Sequence, residues 1–371
     1  MVRNPFKPTA GARPPLLVGR EDALDGFKEA INDGSGSPGL LTIFTGPRGV
    51  GKTVLLTAAE EFAQAQGWVV ISETATTGLI PRLTSSMILR LEELGNGPPG
   101  RRLTAVTAGG FGVTTQLAPA RQRPWRDIAT QLVTVLDGHG TGLLITIDEI
   151  HAVNREELTE LAAVIQHLIR EDLPIGLLVA GIPKAVSDLL NEDVSTFLRR
   201  ADRVDLKDVA IRDVEVALAA TFADTDVTIT PSQLRYAAEA TGGYPFLIQL
   251  VGYHVWRRAV TGSVTDESLA EGIDAARRRL GSTVLQASLA DLSQVDRTFL
   301  LKMADDDGPS KVADIASRLG ENTKYAGVYR RRLIDAGVIV NAGRGLLDFS
   351  VPHLRQYLRE HAASGIDSNT L

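Results

Sequence analysis

A glycine-rich segment that ends in lysine and threonine is the strongest chemical signal in the sequence. It matches G-x-x-x-x-G-K-[ST] at every fixed position, follows a short apolar run and opens a helical pattern. Glycines let backbone N–H groups curl around phosphates, and a helix start adds partial positive charge. We therefore predict a phosphate-binding loop in which Lys52 reaches the β- and γ-phosphates of ATP and Thr53 ligates Mg²⁺. The predicted nucleotide contacts are Gly46, Pro47, Arg48, Gly49, Val50, Gly51, Lys52, Thr53 and Val54.

An acidic pair follows a second apolar run further along the chain. Asp148 and Glu149 come directly after residues 143–147, which read as a buried strand. A carboxylate at the end of such a strand is costly unless it faces a cation. We predict that Asp148 holds the Mg²⁺ shell through water and that Glu149 polarises the attacking water as general base. Together with Lys52, Glu149 would make the chain a Mg²⁺-dependent ATPase.

The composition excludes several kinds of site and several classes of protein. The chain has 371 residues, a formal net charge of -6 and no cysteine. The charge means that any nucleic-acid-binding patch must be local, and the lack of cysteine excludes disulfides, thiolate zinc sites and a cysteine nucleophile. The apolar runs are far shorter than the roughly 20 residues of a membrane helix, and no secretory signal is visible at the start. We expect a cytoplasmic protein with no membrane association.

Short apolar runs alternate with helical patterns over the first half of the chain. This alternation predicts an α/β fold with a five-stranded parallel sheet covered on both faces. Beyond about residue 208 the patterns are helical. Residues 104–116 alternate around a Gly-Gly pair and predict a β-hairpin, either without a special role or as a mobile loop that touches a partner or nucleic acid. The expected parts are an extended arm (1–15), a P-loop core with the inserted hairpin (16–207), a helical lid (208–285) and a winged helix (291–360).

The last of these parts has the order helix, turn, helix and two strands. This order resembles a winged helix, whose second helix would lie over residues 324–336. Between residues 294 and 360 there are 11 Lys and Arg against 9 Asp and Glu, which is a weak excess for a DNA-binding surface. Contacts with DNA and contacts with protein therefore both stay open. The basic residues of the second helix are Lys324, Arg330, Arg331 and Arg332.

Four features, taken in order, resemble the AAA+ ATPases, and within them the origin-recognition-like and STAND-type branches. They are residues 14–21, the phosphate loop, the acidic pair, and the motif Thr-Gly-Gly-Tyr-Pro-Phe at 241–246. The resemblance implies a helical lid over the nucleotide, with hydrolysis coupled to lid motion or to assembly. It also implies that Val18 and Pro245 flank the adenine. Pro245 equally suits the first position of a helix after a glycine turn, and both roles can hold.

The same resemblance suggests an arginine finger before the fifth strand. Arg199 and Arg200 lie where such families place the residue that stabilises charge on a neighbour's nucleotide. The alternative is two solvated arginines favoured by the dipole at a helix C-terminus. The sequence differs from the AAA+ pattern at two places that would sense the nucleotide. The fourth strand ends at residues 179–183 without a polar sensor, and the lid helix that begins near Pro245 has no arginine at its start.

The sequence thus predicts an AAA+ switch that binds and hydrolyses ATP and acts on DNA or on a DNA-bound partner. The alternative is a STAND-type regulatory ATPase that controls protein–protein assembly without DNA. In both cases we expect ATP and ADP as ligands and a homo-oligomer or a protein partner. A small-molecule kinase is disfavoured because a further strand is expected between the phosphate loop and the acidic strand.

Overall fold

The computed structural model describes residues 3–9, 11–95, 124–191, 197–290 and 292–363. The hairpin expected at 104–116 lies outside these ranges. Within them, no helix is both long enough and apolar enough to cross a bilayer.

A parallel sheet forms the centre of the first half of the chain. In the described residues its order is β2-β3-β4-β1-β5, and every neighbouring pair runs parallel. This confirms the predicted five-stranded sheet. One strand separates the loop-bearing β1 from the acidic β3 as expected, but that strand is β4, whereas β2, which lies between them in the sequence, is at the edge beyond β3. Parallel strands bring their carboxyl ends to one edge, where ligands bind in such sheets. The strands are β1 (Leu41–Thr45), β2 (Val69–Thr74), β3 (Leu143–Asp148), β4 (Ile175–Gly181) and β5 (Asp202–Asp205).

Helices cover both faces of the sheet. Neighbouring residues of β3 point to opposite faces, so that Ile145 belongs to the same buried cluster as Leu132 of α4, while Leu144 belongs to the cluster of Leu55 of α2. Both faces of the sheet are therefore buried, which explains why the strands appear in the sequence as continuous apolar runs. The helices are α1 (Glu21–Asp33), α2 (Lys52–Ala65), α3 (Leu79–Glu93), α4 (Trp125–Asp137), α5 (Arg155–Arg170) and α6 (Pro183–Asn191).

Residues 211–290 form a helical lid, and we use that name for α7 to α11. Two of its helices begin with capping boxes, in which Thr230 pairs with Gln233 and Thr265 pairs with Ser268. A π-helical turn, Gly281–Leu285, joins α10 to α11. The lid helices are α7 (Ile211–Ala223), α8 (Pro231–Thr241), α9 (Pro245–Arg258), α10 (Asp266–Leu280) and α11 (Gln286–Ala290).

The C-terminal unit, residues 294–363, has the order of elements of a winged helix. A three-stranded antiparallel sheet, β6-β8-β7, packs with four helices. Lys311 closes the short strand β6, and α13 begins at the next residue, Val312. The elements are α12 (Gln294–Ala304), β6 (Ser310–Lys311), α13 (Val312–Arg318), α14 (Thr323–Asp335), β7 (Ile339–Gly343), β8 (Leu346–Phe349) and α15 (Leu354–Ala363).

One hydrophobic core runs through the lid and the C-terminal unit. Val255 and Leu280 of the lid belong to the same buried cluster as Phe299 and Leu354 of the C-terminal unit. The C-terminal unit also touches the half of the chain that contains the parallel sheet. A methyl group on Gly337, the residue that follows the last turn of α14, would lie 3.5 Å from the Cα of Pro47 and 3.5 Å from the Cδ of Pro183.

Candidate nucleotide-binding site

The two halves of the predicted site meet at the carboxyl edge of the sheet. Lys52 and Thr53 open α2, and Asp148 closes β3. The Nζ of Lys52 donates to the carbonyl oxygens of Gly46 at 3.0 Å and Pro47 at 2.9 Å. The hydroxyl of Thr53 donates to Oδ2 of Asp148 at 2.5 Å. The lysine, the hydroxyl and the carboxylate are therefore assembled at one place.

Side chains hold several carbonyl oxygens of the phosphate loop. Besides the two that bond to Lys52, the carbonyl of Arg48 accepts from the Tyr244 hydroxyl at 2.5 Å. The carbonyl of Val50 accepts from Nη2 of Arg20 at 3.1 Å. A loop that binds phosphate must present N–H groups to it, and carbonyls bonded to protein donors favour that orientation.

Glu149 has an unusual backbone for a glutamate. Its φ of 55° and ψ of 45° place it in the left-handed region. Oδ1 of Asp148 accepts the Glu149 N–H at 2.8 Å, and the Glu149 side chain lines the cavity described below. A non-glycine residue in this region costs of order 1–3 kcal/mol and is found most often at functional sites. This geometry supports the candidate role of Glu149 as general base.

Burial and the neighbouring carboxylates shift the pKa of Lys52 in opposite directions. Burial lowers the pKa of its ammonium group, and the carboxylates of Glu149 and Asp148 raise it. A buried cation of this kind is stabilised by a nearby anion, so a bound phosphate would offset the desolvation.

A cavity of about 380 Å³ opens beside the loop and has three walls. Residues 48–54 form the first wall, which includes seven of the nine predicted loop contacts; Gly46 and Pro47 lie outside the lining. The second wall comes from the N-terminal segment and contains Val18, and the third comes from the lid and contains Pro245. The two predicted adenine contacts therefore line the same cavity as the loop.

The N-terminal arm is a fixed wall of this cavity. Phe6 is only 3% exposed, and a methyl group on Gly252 of α9 would lie 2.3 Å from its ring. Nδ2 of Asn4 donates to the carbonyl of Tyr253 at 3.0 Å. Further along, Arg13 pairs with Glu61 of α2. The arm therefore connects the lid to the core, a role that its Pro, Gly and Arg content did not indicate.

Two buried side chains that contact the loop were not predicted from the sequence. Arg20, 8% exposed, donates to the carbonyl of Lys207 at 2.5 Å as well as to Val50. Burial raises the pKa of the adjacent Asp208, and the Arg20 charge opposes that shift. Burial also raises the pKa of Tyr244, so that its hydroxyl stays protonated and can donate. Both residues belong to motifs that carried the AAA+ resemblance, which was the available signal.

The predicted arginine finger lies away from this cavity. Arg199 and Arg200 are exposed, neither lines the cavity, and Nε of Arg199 donates to the carbonyl of Leu190 at 2.6 Å. The structure thus does not bring them to the site of their own chain.

The donor atoms at the loop suit magnesium. Thr53 and Asp148 offer a hydroxyl and a carboxylate, and Mg²⁺ prefers oxygen ligands, with the rest of its shell completed by water and phosphate. In the part of the chain that the structure describes, no group of three or more His, Asp or Glu side chains forms a metal cage.

The core of the chain matches a known family. Residues 16–179 match the family described as AAA ATPase domain, and this range contains the loop, the acidic pair, β1 to β3 and most of β4. Residues 16–179 are therefore an AAA ATPase domain. Residues 282–358 match a second family, described only as a domain of unknown function. No curated protein matches the chain.

Solved structures extend the likeness in fold to nearly the whole length of the chain. The ORC2 protein of Aeropyrum pernix, solved as ADPNP–ADP complexes, is 16% identical, with 96% of this chain and 97% of that chain covered and a TM-score of 0.64. A Walker-type ATPase of Pyrococcus abyssi is 15% identical, with coverage of 94% and 97% and a TM-score of 0.68. At these identities the matches show a shared fold, which includes the lid and the C-terminal unit.

Proposed function

We propose that this AAA ATPase binds ATP with Mg²⁺, hydrolyses it, and acts as a switch on DNA or on a DNA-bound partner. The observation that carries the catalytic part is the junction of Thr53 with Asp148 beside Lys52 and Glu149. A cation, a metal-ligating hydroxyl and two carboxylates meet at the start of a helix, which is the set that phosphoryl transfer requires.

Each residue has a distinct task in this proposal. Lys52 leaves its carbonyl partners for the β- and γ-phosphates, and Thr53 and Asp148 hold the metal. Mg²⁺ would neutralise charge that develops on the phosphate oxygens. Glu149 accepts a proton from the attacking water, and its left-handed backbone directs its side chain into the cavity. The ADPNP–ADP complexes of the ORC2 protein support this use of the fold.

The base of the nucleotide would lie between the N-terminal segment and the lid. Val18 and Pro245 line the cavity from these two sides, together with Phe246 and Ile248. Apolar walls suit the flat faces of an adenine ring. The nucleotide would then touch both the core and the lid.

A DNA-binding surface would lie on the C-terminal unit. On α14, Lys324 and Arg331 are exposed, and Arg344 is exposed in the turn between β7 and β8. The other two basic residues of α14 already have protein partners, because Arg330 donates to Asn341 and Arg332 pairs with Asp296. We propose that the first three contact phosphates of the DNA backbone.

The internal pairing of charge in the C-terminal unit favours a second candidate function. Arg318, Arg355 and Arg359 pair with Asp306, Asp348 and Asp307. These arginines therefore contribute little to an external positive field. The alternative is a STAND-type switch that controls protein–protein assembly without DNA.

Exposed arginines near β5 fit a homo-oligomer in either case. Since Arg199 and Arg200 lie outside the cavity of their own chain, we propose that they act on the nucleotide of a neighbouring copy.

DNA binding by the full chain, with and without ATP and Mg²⁺ over a salt series, separates the two candidates. We expect ATP-dependent binding that weakens with salt, persists in Glu149→Gln and disappears in Lys52→Ala. Arg331→Ala should lower the slope of log affinity against log salt by about 1. Lys28→Ala on α1 is the matched control. Bound ATP without DNA binding in any state would select the protein-assembly switch.

A further inference from the structure

A buried tyrosine joins the lid to the phosphate loop. Tyr244 precedes the first residue of α9, and its side chain is 0% exposed within the lid core. Its hydroxyl donates to the carbonyl of Arg48 at 2.5 Å, across a sequence separation of 196 residues. Tyr244 itself does not line the cavity, so it holds the loop from the outside.

The loop has a glycine where the tyrosine hydroxyl enters. A methyl group on Gly49 would lie 2.1 Å from the hydroxyl oxygen of Tyr244 and 2.8 Å from its Cζ, and the φ of Gly49 is 73°. In the pattern G-x-x-x-x-G-K-[ST] this position is free, so phosphate binding does not by itself require glycine here. The close approach of Tyr244, together with the left-handed backbone, does require it.

The turn that carries Tyr244 is also tied to the sheet. The carbonyl of Gly243 accepts from the N–H of Val209 at 2.8 Å, and a methyl group on Gly243 would lie 2.1 Å from the carbonyl oxygen of Val209. Leu206 lies three residues before Val209 in the chain. Its N–H donates to the carbonyl of Thr45, the last residue of β1, at 2.7 Å. Tyr244 therefore reaches the loop from a turn anchored near the strand that leads into it.

We propose that Tyr244 is a positioning residue that fixes the base-binding wall of the lid relative to the phosphate loop and thereby sets nucleotide affinity and release. This inference rests on the proposed function. Tyr244 donates a hydrogen bond to the loop, and Pro245, the next residue, lines the base side of the cavity. A nucleotide that touches both walls binds more tightly when they are already fixed, because less freedom is lost on binding.

The test compares Tyr244→Phe with Tyr236→Phe, which makes the same change at a 54% exposed position of the lid. Equilibrium binding and stopped-flow release of a fluorescent ADP are measured on the full chain. Loss of one buried hydrogen bond predicts an affinity roughly 3- to 10-fold lower in Tyr244→Phe, mainly through faster release. Tyr236→Phe should match the wild type. Equal ADP affinity and release in Tyr244→Phe and the wild type would overturn the inference.

A double-mutant cycle with Gly49→Ala separates positioning from a general loss of stability. Gly49→Ala disturbs the same contact from the loop side, so it reports on the coupling even when Tyr244→Phe folds poorly. We expect the double variant to lose less ADP affinity than the sum of the single losses, because removal of the Tyr244 hydroxyl relieves the nearest clash of the methyl group in Gly49→Ala. Additive losses would overturn the inference. A wild-type chain that binds no ADP would overturn the proposed function as well, whereas a wild-type chain that binds ADP keeps the two outcomes distinct.

Discussion

The hydroxyl of Thr53 donates a hydrogen bond to Oδ2 of Asp148, although the two residues lie 95 positions apart in the chain. The contact exists because α2 starts directly after the loop that follows β1, while β3 ends at the same edge of the sheet. It brings together the two side chains expected to hold Mg²⁺. The contact therefore links the fold to a measurable dependence on metal.

Thr53→Ala should remove the strengthening of ATP binding by Mg²⁺, whereas Thr53→Ser should keep it. The reason is that serine retains the hydroxyl that would ligate the metal. ATP affinity is measured with Mg²⁺ and with a chelator. Thr57→Ala, one turn further along α2, is the control for general damage to the helix. If Mg²⁺ strengthened binding equally in the alanine and serine variants, the assigned role of Thr53 would be wrong.

Arg199→Ala or Arg200→Ala should lower ATPase turnover, by about 10³-fold if the residue is the finger, and leave ATP affinity unchanged. Because the finger would act on a neighbouring copy, wild-type turnover per chain should rise with protein concentration. Steady-state hydrolysis and equilibrium ATP binding measure the two quantities. Arg203→Ala, at an exposed arginine paired with Asp205, is the control. Unchanged turnover in both test variants would remove the finger hypothesis.

Phe6→Ala should destabilise the folded lid by about 3 kcal/mol, since it removes a buried aromatic ring. Gly252→Ala should loosen the arm as well, because the new methyl group would meet the Phe6 ring. Thermal unfolding and limited proteolysis of the first 15 residues report the two effects. Leu16→Ala, at a 44% exposed residue of the same segment, should have little effect on stability. An arm equally resistant to protease in Phe6→Ala would show that Phe6 does not anchor it.

The contact between the C-terminal unit and the lid should weaken below about pH 6.5. Burial lowers the pKa of His353 from its ordinary value; its hydrogen bond to the Ala240 carbonyl opposes this shift, and the charge of Arg277 adds to it. The folded state therefore favours the neutral ring. The stabilisation is complete above the unfolded pKa and is lost as pH falls towards the lower folded value.

His353→Asn should reduce this pH dependence of the melting temperature. Asparagine tolerates the left-handed backbone of this position, where φ is 63°. The control is His139→Asn, which changes an exposed histidine in the half of the chain that contains the parallel sheet. A melting temperature that falls equally with pH in the wild type and in His353→Asn would assign the effect to other groups.

The sequence predicts local features well and long-range contacts poorly. The phosphate loop, the acidic pair and the sheet all leave signals within short windows, either as fixed spacing or as apolar runs. The resemblance to AAA+ ATPases then added the lid. The short helices α6 and α11 and the two-residue β6 leave too few residues for a periodic pattern, and they were not predicted.

The missed residues around the site share one physical property: their partners are distant in the chain. Phe6 stands in a segment without periodicity, and the space made by Gly252 decides its burial. Likewise, Arg20 and Tyr244 are recognisable as members of motifs, but their contacts with the carbonyls of Val50 and Arg48 depend on how the N-terminal segment and the lid pack against the phosphate loop. Such contacts are a property of the tertiary structure alone.

The close approach of Gly337 to Pro47 has a thermodynamic consequence. Two ligands that bind to parts of a protein in direct contact can have a coupling free energy, and this coupling is reciprocal. A partner that displaces the end of α14 would change the affinity of the loop for nucleotide by some factor. Nucleotide would then change the affinity for that partner by the same factor, whether the partner is a nucleic acid or a protein.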